Sequence, residues 1–230
     1  MPEELDWRVY ERVAACFEID AADMDVSITP NASLIGAISG VKRQIDVLVD
    51  ARWDGSVDSR IIFDAKLRKR KLDVKDVESF EGMMRDVGAS RGVLVCPNGA
   101  TKAAIRRAQQ NIDIRVISTE ESMELDHAAI DPCPHCATNG KGQSGLVFWD
   151  GQFPLPLGAA WAIIFTGKCD VCRSFAFWCW DCGEKLVVPD SETHECGCER
   201  TWFVEAAEDE VLFIVRVDDG EVPLDRRPIR

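Results

Sequence analysis

The chain has 230 residues, 46% hydrophobic and 29% charged, a composition that suits one large or two modest globular domains with a buried core. No apolar run reaches the ~18 residues of a membrane-spanning helix; the nearest, LGAAWAIIFTG at 157–167, is too short, and the acidic start MPEELDWRVYERV does not read as a signal peptide, so a cytoplasmic protein is expected. The net charge of −13 runs against general phosphate binding, but it is uneven: 18 Lys/Arg against 23 Asp/Glu in residues 1–128, and 9 against 17 in 129–230.

In chain order, Leu5, Val9, Val13 and Phe17 recur at helical spacing and predict an amphipathic helix over 4–18. Val26 to Thr29 reads as a short strand before an irregular NASLIGAISG. Residues 43–53 and 59–67 read as two strands around a DGSVD turn. Asp73 is a plausible N-cap for a helix over 74–86 that stops near Gly88. RGVLVCP reads as a buried strand, 99–111 as a helix with a basic outer face, and DIRVIS as a closing strand. This order predicts an α/β domain over 1–120. Residues 121–132 read as a linker, and 133–230, with cysteines, tryptophans and short strands such as FWCW and KLVV, as a small β-rich domain.

Within the first part, the apolar runs IDVLV and RIIF each adjoin an aspartate. A hairpin turning at Gly55–Ser56 brings Asp46 nearly opposite Asp64, at ~5 Å between Cβ atoms if the two share a face. Lys66 lies two residues beyond Asp64 and so on its side of the strand. Two converging carboxylates repel unless a cation sits between them, and oxygen ligands of this kind suit Mg²⁺. With an adjacent lysine, the set fits metal-assisted phosphodiester hydrolysis. An ordinary ion pair on a surface hairpin is the plainer alternative.

Eight of the ten cysteines fall in four close pairs: Cys133 with Cys136, Cys169 with Cys172, Cys179 with Cys182, and Cys196 with Cys198. In a chain without a secretion signal, such pairs point to metal rather than disulfides. Eight thiolates fill two tetrahedral structural Zn²⁺ sites, with no open position for a substrate. Consecutive pairing (133/136 with 169/172, 179/182 with 196/198) and a crossed order both fit the spacing. The acidity and tryptophan content of this part favour protein contact, a homodimer or packing against the first domain over direct DNA binding. Cys16 and Cys96 read as core thiols.

The run SGVKRQIDVLVD, then IIFDAK, then VKDVESFEGMMRDVGASRGVLVCPNGATKAAIRRAQ resembles the catalytic domain of Mrr-type restriction endonucleases, in the PD-(D/E)xK nuclease superfamily, over roughly residues 5–118. The resemblance implies a central mixed sheet flanked by helices and a metal-dependent DNA endonuclease of bacterial restriction or anti-phage defence, using Mg²⁺ or Mn²⁺. It makes Asp46 the metal-binding aspartate, Asp64 the acidic member of the (D/E)xK pair and Lys66 the catalytic lysine. Gln44, two residues from Asp46, lines the site, and Glu11 stands where a helix glutamate completes it. Aspartate at position 64 replaces the glutamate usual in this family. Arg68, Lys69, Arg70 and Lys71, with Lys102, Arg106 and Arg107, form a basic strip that can track DNA phosphates. An inactive nuclease-fold scaffold and a repair or junction-resolving nuclease are the competing roles.

Overall fold

The IDVLV and RIIFD runs pair, as expected, as neighbouring antiparallel strands. They are β2 (Lys42–Ala51) and β3 (Ile61–Ala65), in register Val47 to Phe63, Leu48 to Ile62 and Val49 to Ile61. The computed structural model describes residues 10–12, 25–53, 60–108, 111–123, 130–138, 144–157, 160–208, 210–217 and 220–228. The DGSVD turn, Cys16 and most of the helix expected over 4–18 lie outside these; residues 10–12 are helical.

β1 (Val26–Ile35) lies antiparallel to β2, while β4 (Arg91–Cys96) and β5 (Ile112–Val116) extend the sheet in parallel from β3, giving a mixed sheet ordered β1-β2-β3-β4-β5. Each parallel connection carries a helix, α1 (Val74–Val87) and then α2 (Lys102–Ala108). α1 starts and stops where its sequence signals stand. The Asp73 carboxylate accepts from the Lys75 and Asp76 amides, Asp76 closes a reciprocal capping box, and Gly88 ends the helix at φ 68°. Val77, Phe80, Met84 and Val87 bury one helix face against Ile45, Leu48, Ile62 and Leu94. The other sheet face packs Val47, Val49, Phe63, Val93 and Val95 with Tyr10, Ile28 and Phe148.

Two departures concern the strands. β1 continues through the stretch expected to be irregular, with Asn31 at φ 51° inside it. The pairing of Pro30 with Val47 and Ala32 with Ile45 puts Asn31 across from Asp46. The side-chain alternation breaks there, since Ile45 and Leu48 join the helix-side cluster while Val47 and Val49 join the other. A strict period of two would have kept 45 with 47. Asparagine tolerates the left-handed region better than other non-glycine residues, which lets the strand turn over at this point. Thr119–Met123 forms the short helix α3, which enters the first residues of the expected linker; residues 124–129 of that linker lie outside the described residues.

The C-terminal part opens with α4 (Pro134–Thr138) and holds two four-stranded antiparallel sheets. The first joins β6 (Val147–Leu157), β7 (Ala160–Cys169), β8 (Phe175–Cys179) and β9 (Lys185–Val188). The second joins β10 (Thr193–Glu195), β11 (Thr201–Ala206), β12 (Glu210–Val217) and β13 (Gly220–Pro228). Phe175, Phe177, Trp202 and Phe213 form the core between them, with Phe177 and Trp202 stacked at 4.1 Å.

A buried charge cluster ties this part to the first sheet. Lys168 Nζ bonds Asp150 Oδ2 at 2.9 Å and also Asp225, and donates to Ser27 Oγ at 3.0 Å. Arg52 pairs with Asp225 at 2.8 Å and donates to the Val26 carbonyl at 2.8 Å. All four charged side chains are fully buried, so two cations and two anions compensate one another where the removal of any one leaves an unbalanced charge. Lys168→Met is therefore expected to lower unfolding free energy by ~3–5 kcal/mol in denaturant titration; a change under ~1 kcal/mol would show that the cluster is not what joins the parts.

Candidate active site

β2 and β3 deliver the two aspartates. One step past the Val47–Phe63 pair the same register sets Asp46 against Asp64. Here the Asp46 side chain takes over from the backbone ladder, and its Oδ2 accepts the Ala65 amide at 2.7 Å. Asp64 is nearly buried, and Lys66 Nζ reaches its Oδ2 at 2.7 Å. Glu11, Gln44, Asp46, Phe63, Asp64, Lys66 and Met83 line one open cleft of about 370 Å³. All five residues expected at the catalytic centre thus border a common space. Gln44 arrives there despite the break in alternation at residue 46, so its place does not follow from the period of two.

Burial, and next the Asp64 carboxylate, push the Asp46 carboxyl up to about 6; the Ala65 amide, Lys66 and a hydrogen bond with Glu11 pull the other way. A carboxylate desolvated beside a second carboxylate is stabilised most simply by a cation. Among the described residues, the only sets of three or more His, Cys, Asp or Glu with ligand atoms all within 4.8 Å are cysteine quartets. The acidic set is more open than that. One or two carboxylates with several waters is the ligand set that Mg²⁺ takes.

The basic strip divides. Arg68 and Arg70 each reach Asp76 at 2.7 Å. Burial pushes the Asp76 carboxyl up, but hydrogen bonding to Arg70 and the Asp73 amide, with the charges of Arg68 and Arg70, together outweigh it and bring the carboxyl down to about 2. Arg107 pairs with Glu81 and lies 3.6 Å from Glu78. All seven cations are exposed, but these three arginines are paired with carboxylates of α1.

The cysteines gather as Cys133, Cys136, Cys169 and Cys172, and as Cys179, Cys182, Cys196 and Cys198. This is the consecutive arrangement rather than the crossed one. None is in a disulfide. Sγ–Sγ distances of 3.7 Å (133 to 172), 3.7 Å (136 to 169) and 4.0 Å (179 to 198) match the ~3.8 Å edge of a tetrahedron with ~2.3 Å Zn–S bonds. The Val171 and Cys172 amides point at Cys169 Sγ, at 3.4 and 3.5 Å. Hydrogen bonding to Cys133 pushes the Cys169 thiol up, while hydrogen bonding to Cys133 and Cys169 pulls Cys172 down. At Gly145 a Cβ would meet Cys169 Sγ at 2.4 Å, so the quartet is packed on glycine backbone. In the second set Arg200 Nη1 donates to Cys179 Sγ at 3.1 Å, offsetting thiolate charge. Both donor sets fit Zn²⁺. Cys96 is a buried core thiol, as expected.

Sequence comparison bears directly on the cleft. Residues 34–125 match the Mrr_cat restriction endonuclease family. The Mrr_cat segment contains Gln44, Asp46, Asp64 and Lys66 and leaves out Glu11 and the eight paired cysteines. No curated protein matches the chain. Among solved structures, a protein of unknown function, AF1548, is 15% identical and aligns over 55% of this chain and 69% of its own, with a TM-score of 0.42. A repair endonuclease from Pyrococcus abyssi is 17% identical over 51% of this chain and 49% of its own, with a TM-score of 0.34. Among the described residues, no helix is long and apolar enough to cross a membrane.

A raised carboxyl pKa means that ionising Asp46 opposes folding. That cost is absent below the unfolded value near 4 and complete above about 6. In buffer without Mg²⁺ or Mn²⁺, Asp46→Asn is expected to stabilise the fold at pH 8 by about 3 kcal/mol, with the gain fading towards pH 4. Thermal denaturation across that range checks it; an equal effect at both ends would contradict the assigned environment of Asp46.

Proposed function

We propose that the protein is a divalent-metal-dependent DNA endonuclease with its catalytic centre in this cleft. The observation that carries the reading is the placement of Asp46 against Asp64, with Lys66 on Asp64, inside a segment that matches a restriction endonuclease family. Asp46 and Asp64 hold Mg²⁺ or Mn²⁺, and Glu11 completes the acidic set. The ion supplies Lewis acidity toward a phosphodiester. Lys66 orients the attacking water and offsets the charge that builds on the phosphate oxygens. The shorter Asp64 keeps its carboxylate beside Lys66 and so serves in place of glutamate. Lys69, Lys71, Lys102 and Arg106 are the exposed cations available to DNA phosphates; Arg68, Arg70 and Arg107 serve α1 first. The family description supports a role in restriction or anti-phage defence.

The two cysteine quartets are structural Zn²⁺ sites, and the β-rich part they staple is a protein-contact module. Trp161, Ile163 and Trp180 stand exposed on the outer face of the sheet β6–β9, beside Phe165 stacked on Trp178 at 4.8 Å. An aromatic surface in an acidic region suits a protein partner or a second copy of the chain better than DNA.

Supercoiled plasmid incubated with Mg²⁺ should be nicked and linearised by the wild type. Asp46→Ala and Lys66→Ala should each lower the rate by ~10²-fold or more while remaining folded by circular dichroism. A wild type inert with both Mg²⁺ and Mn²⁺ would overturn the reading in favour of a non-catalytic scaffold.

A further inference from the structure

The knuckle between Cys169 and Cys172 is linked to the candidate catalytic cleft through Asn31. Its Asp170 carbonyl accepts the Asn31 side-chain amide at 2.9 Å, and Asn31 Oδ1 in turn accepts from Gln44 Nε2 at 3.0 Å. A backbone carbonyl can only accept, so Asn31 must present its nitrogen to Asp170 and its oxygen to Gln44. Gln44 must then use its nitrogen for Asn31, which leaves a carbonyl oxygen as the end of the side chain that serves the cleft. One carbonyl of the knuckle thereby fixes the orientation of two amides in series. The Asp170 carboxylate makes a second link, accepting from Arg12 Nε at 2.7 Å, and Arg12 also donates to the Ser144 carbonyl at 3.1 Å. Arg12 is the residue next to Glu11, whose carboxyl meets Asp46. Arg173 adds a third contact, to Ser33 Oγ at 3.0 Å. The knuckle itself is held by the first cysteine quartet and by Asp170 Oδ1 accepting the Leu146 amide at 2.8 Å.

We propose that this knuckle is a positioning device for the cleft, with Asn31 and Arg12 as positioning residues that set Gln44 and Glu11 beside Asp46. The proposal rests on the nuclease reading above, and it goes further in tying the geometry of the acidic cleft to the knuckle of the first cysteine quartet. The backbone of Asn31 supports it. A non-glycine residue at φ 51° within a strand is a local cost, and here that conformation places the amide between Asp170 and Gln44. Residues that orient metal ligands typically change metal affinity by ~10–100-fold when removed.

The test uses full-length, zinc-loaded protein and three substitutions. Asn31→Gly removes the amide but accommodates the positive φ, so a purely structural Asn31 predicts unchanged or higher Tm and unchanged metal binding. Arg12→Gln removes the link to Asp170, and Arg12→Lys retains a cation able to make it. Mn²⁺ affinity is read by electron paramagnetic resonance titration, with Asp46→Ala identifying the signal from the cleft, and kcat and KM are read on plasmid DNA. Asn31→Gly and Arg12→Gln are expected to keep Tm within a few degrees and to weaken Mn²⁺ binding at the cleft by ~10-fold or more. They should lower kcat rather than raise KM, and Arg12→Lys should recover most of the loss. Wild-type Mn²⁺ affinity in both Asn31→Gly and Arg12→Gln would overturn the proposal. A wild type that binds Mn²⁺ at Asp46 but cleaves nothing would overturn the nuclease reading alone, with the affinity comparison still deciding the positioning role. A wild type without Mn²⁺ at the cleft would overturn both.

Discussion

The register between β2 and β3 is the constraint from which the rest follows. It sets Asp46 against Asp64 at the end of a paired stretch, and a slip of one residue would put the two carboxylates on opposite faces of the sheet. The buried runs on either side, Val47 to Val49 and Ile61 to Phe63, prevent that slip because their side chains fill cores on both faces. The sheet thus uses hydrophobic burial, which is non-directional, to enforce a directional and electrostatically costly encounter. The cost appears in the raised Asp46 carboxyl, and a divalent ion is the natural means of relieving it.

The C-terminal part is joined to this arrangement at two places of different character. The cluster of Arg52, Asp150, Lys168 and Asp225 is fully buried and balanced, so it fixes the relation of β1 to β6, β7 and β13. The first cysteine quartet reaches β1 through polar contacts at Asn31 and Ser33, close to the cleft. The first attachment is suited to holding the parts together and the second to adjusting side chains. On the proposed reading, the cysteine-rich part belongs to the catalytic unit rather than being an appendage.

Much of this was legible in the residues. The cysteine spacing implied two four-sulfur sites because close pairs leave few ways to share an ion, and α1 announced both its ends through Asp73 and Gly88. The Asp46–Asp64–Lys66 set was legible because strand pairing is arithmetic once a turn is fixed. Other features were hidden for physical reasons. The buried charges sit at 52, 150, 168 and 225, and nothing local tells an aspartate that will be buried from one that will be solvated. Pro30 and Asn31 read as the end of a strand, whereas the structure uses them to turn the strand over and continue it. Pro154 and Pro156 similarly disguised β6, which tolerates them as the edge strand of its sheet. The run Arg68 to Lys71 read as one basic strip, but Asp76, buried one turn into α1, claims two of its arginines.

Anomalous scattering from crystals grown with Mn²⁺, Zn²⁺ and a short DNA duplex would test the central claim most directly. The account predicts a manganese peak shared by the Asp46 and Asp64 carboxylates beside a DNA phosphate, together with one zinc peak in each cysteine quartet. DNA bound away from the cleft, or an Asp46–Asp64 pair without manganese, would contradict it.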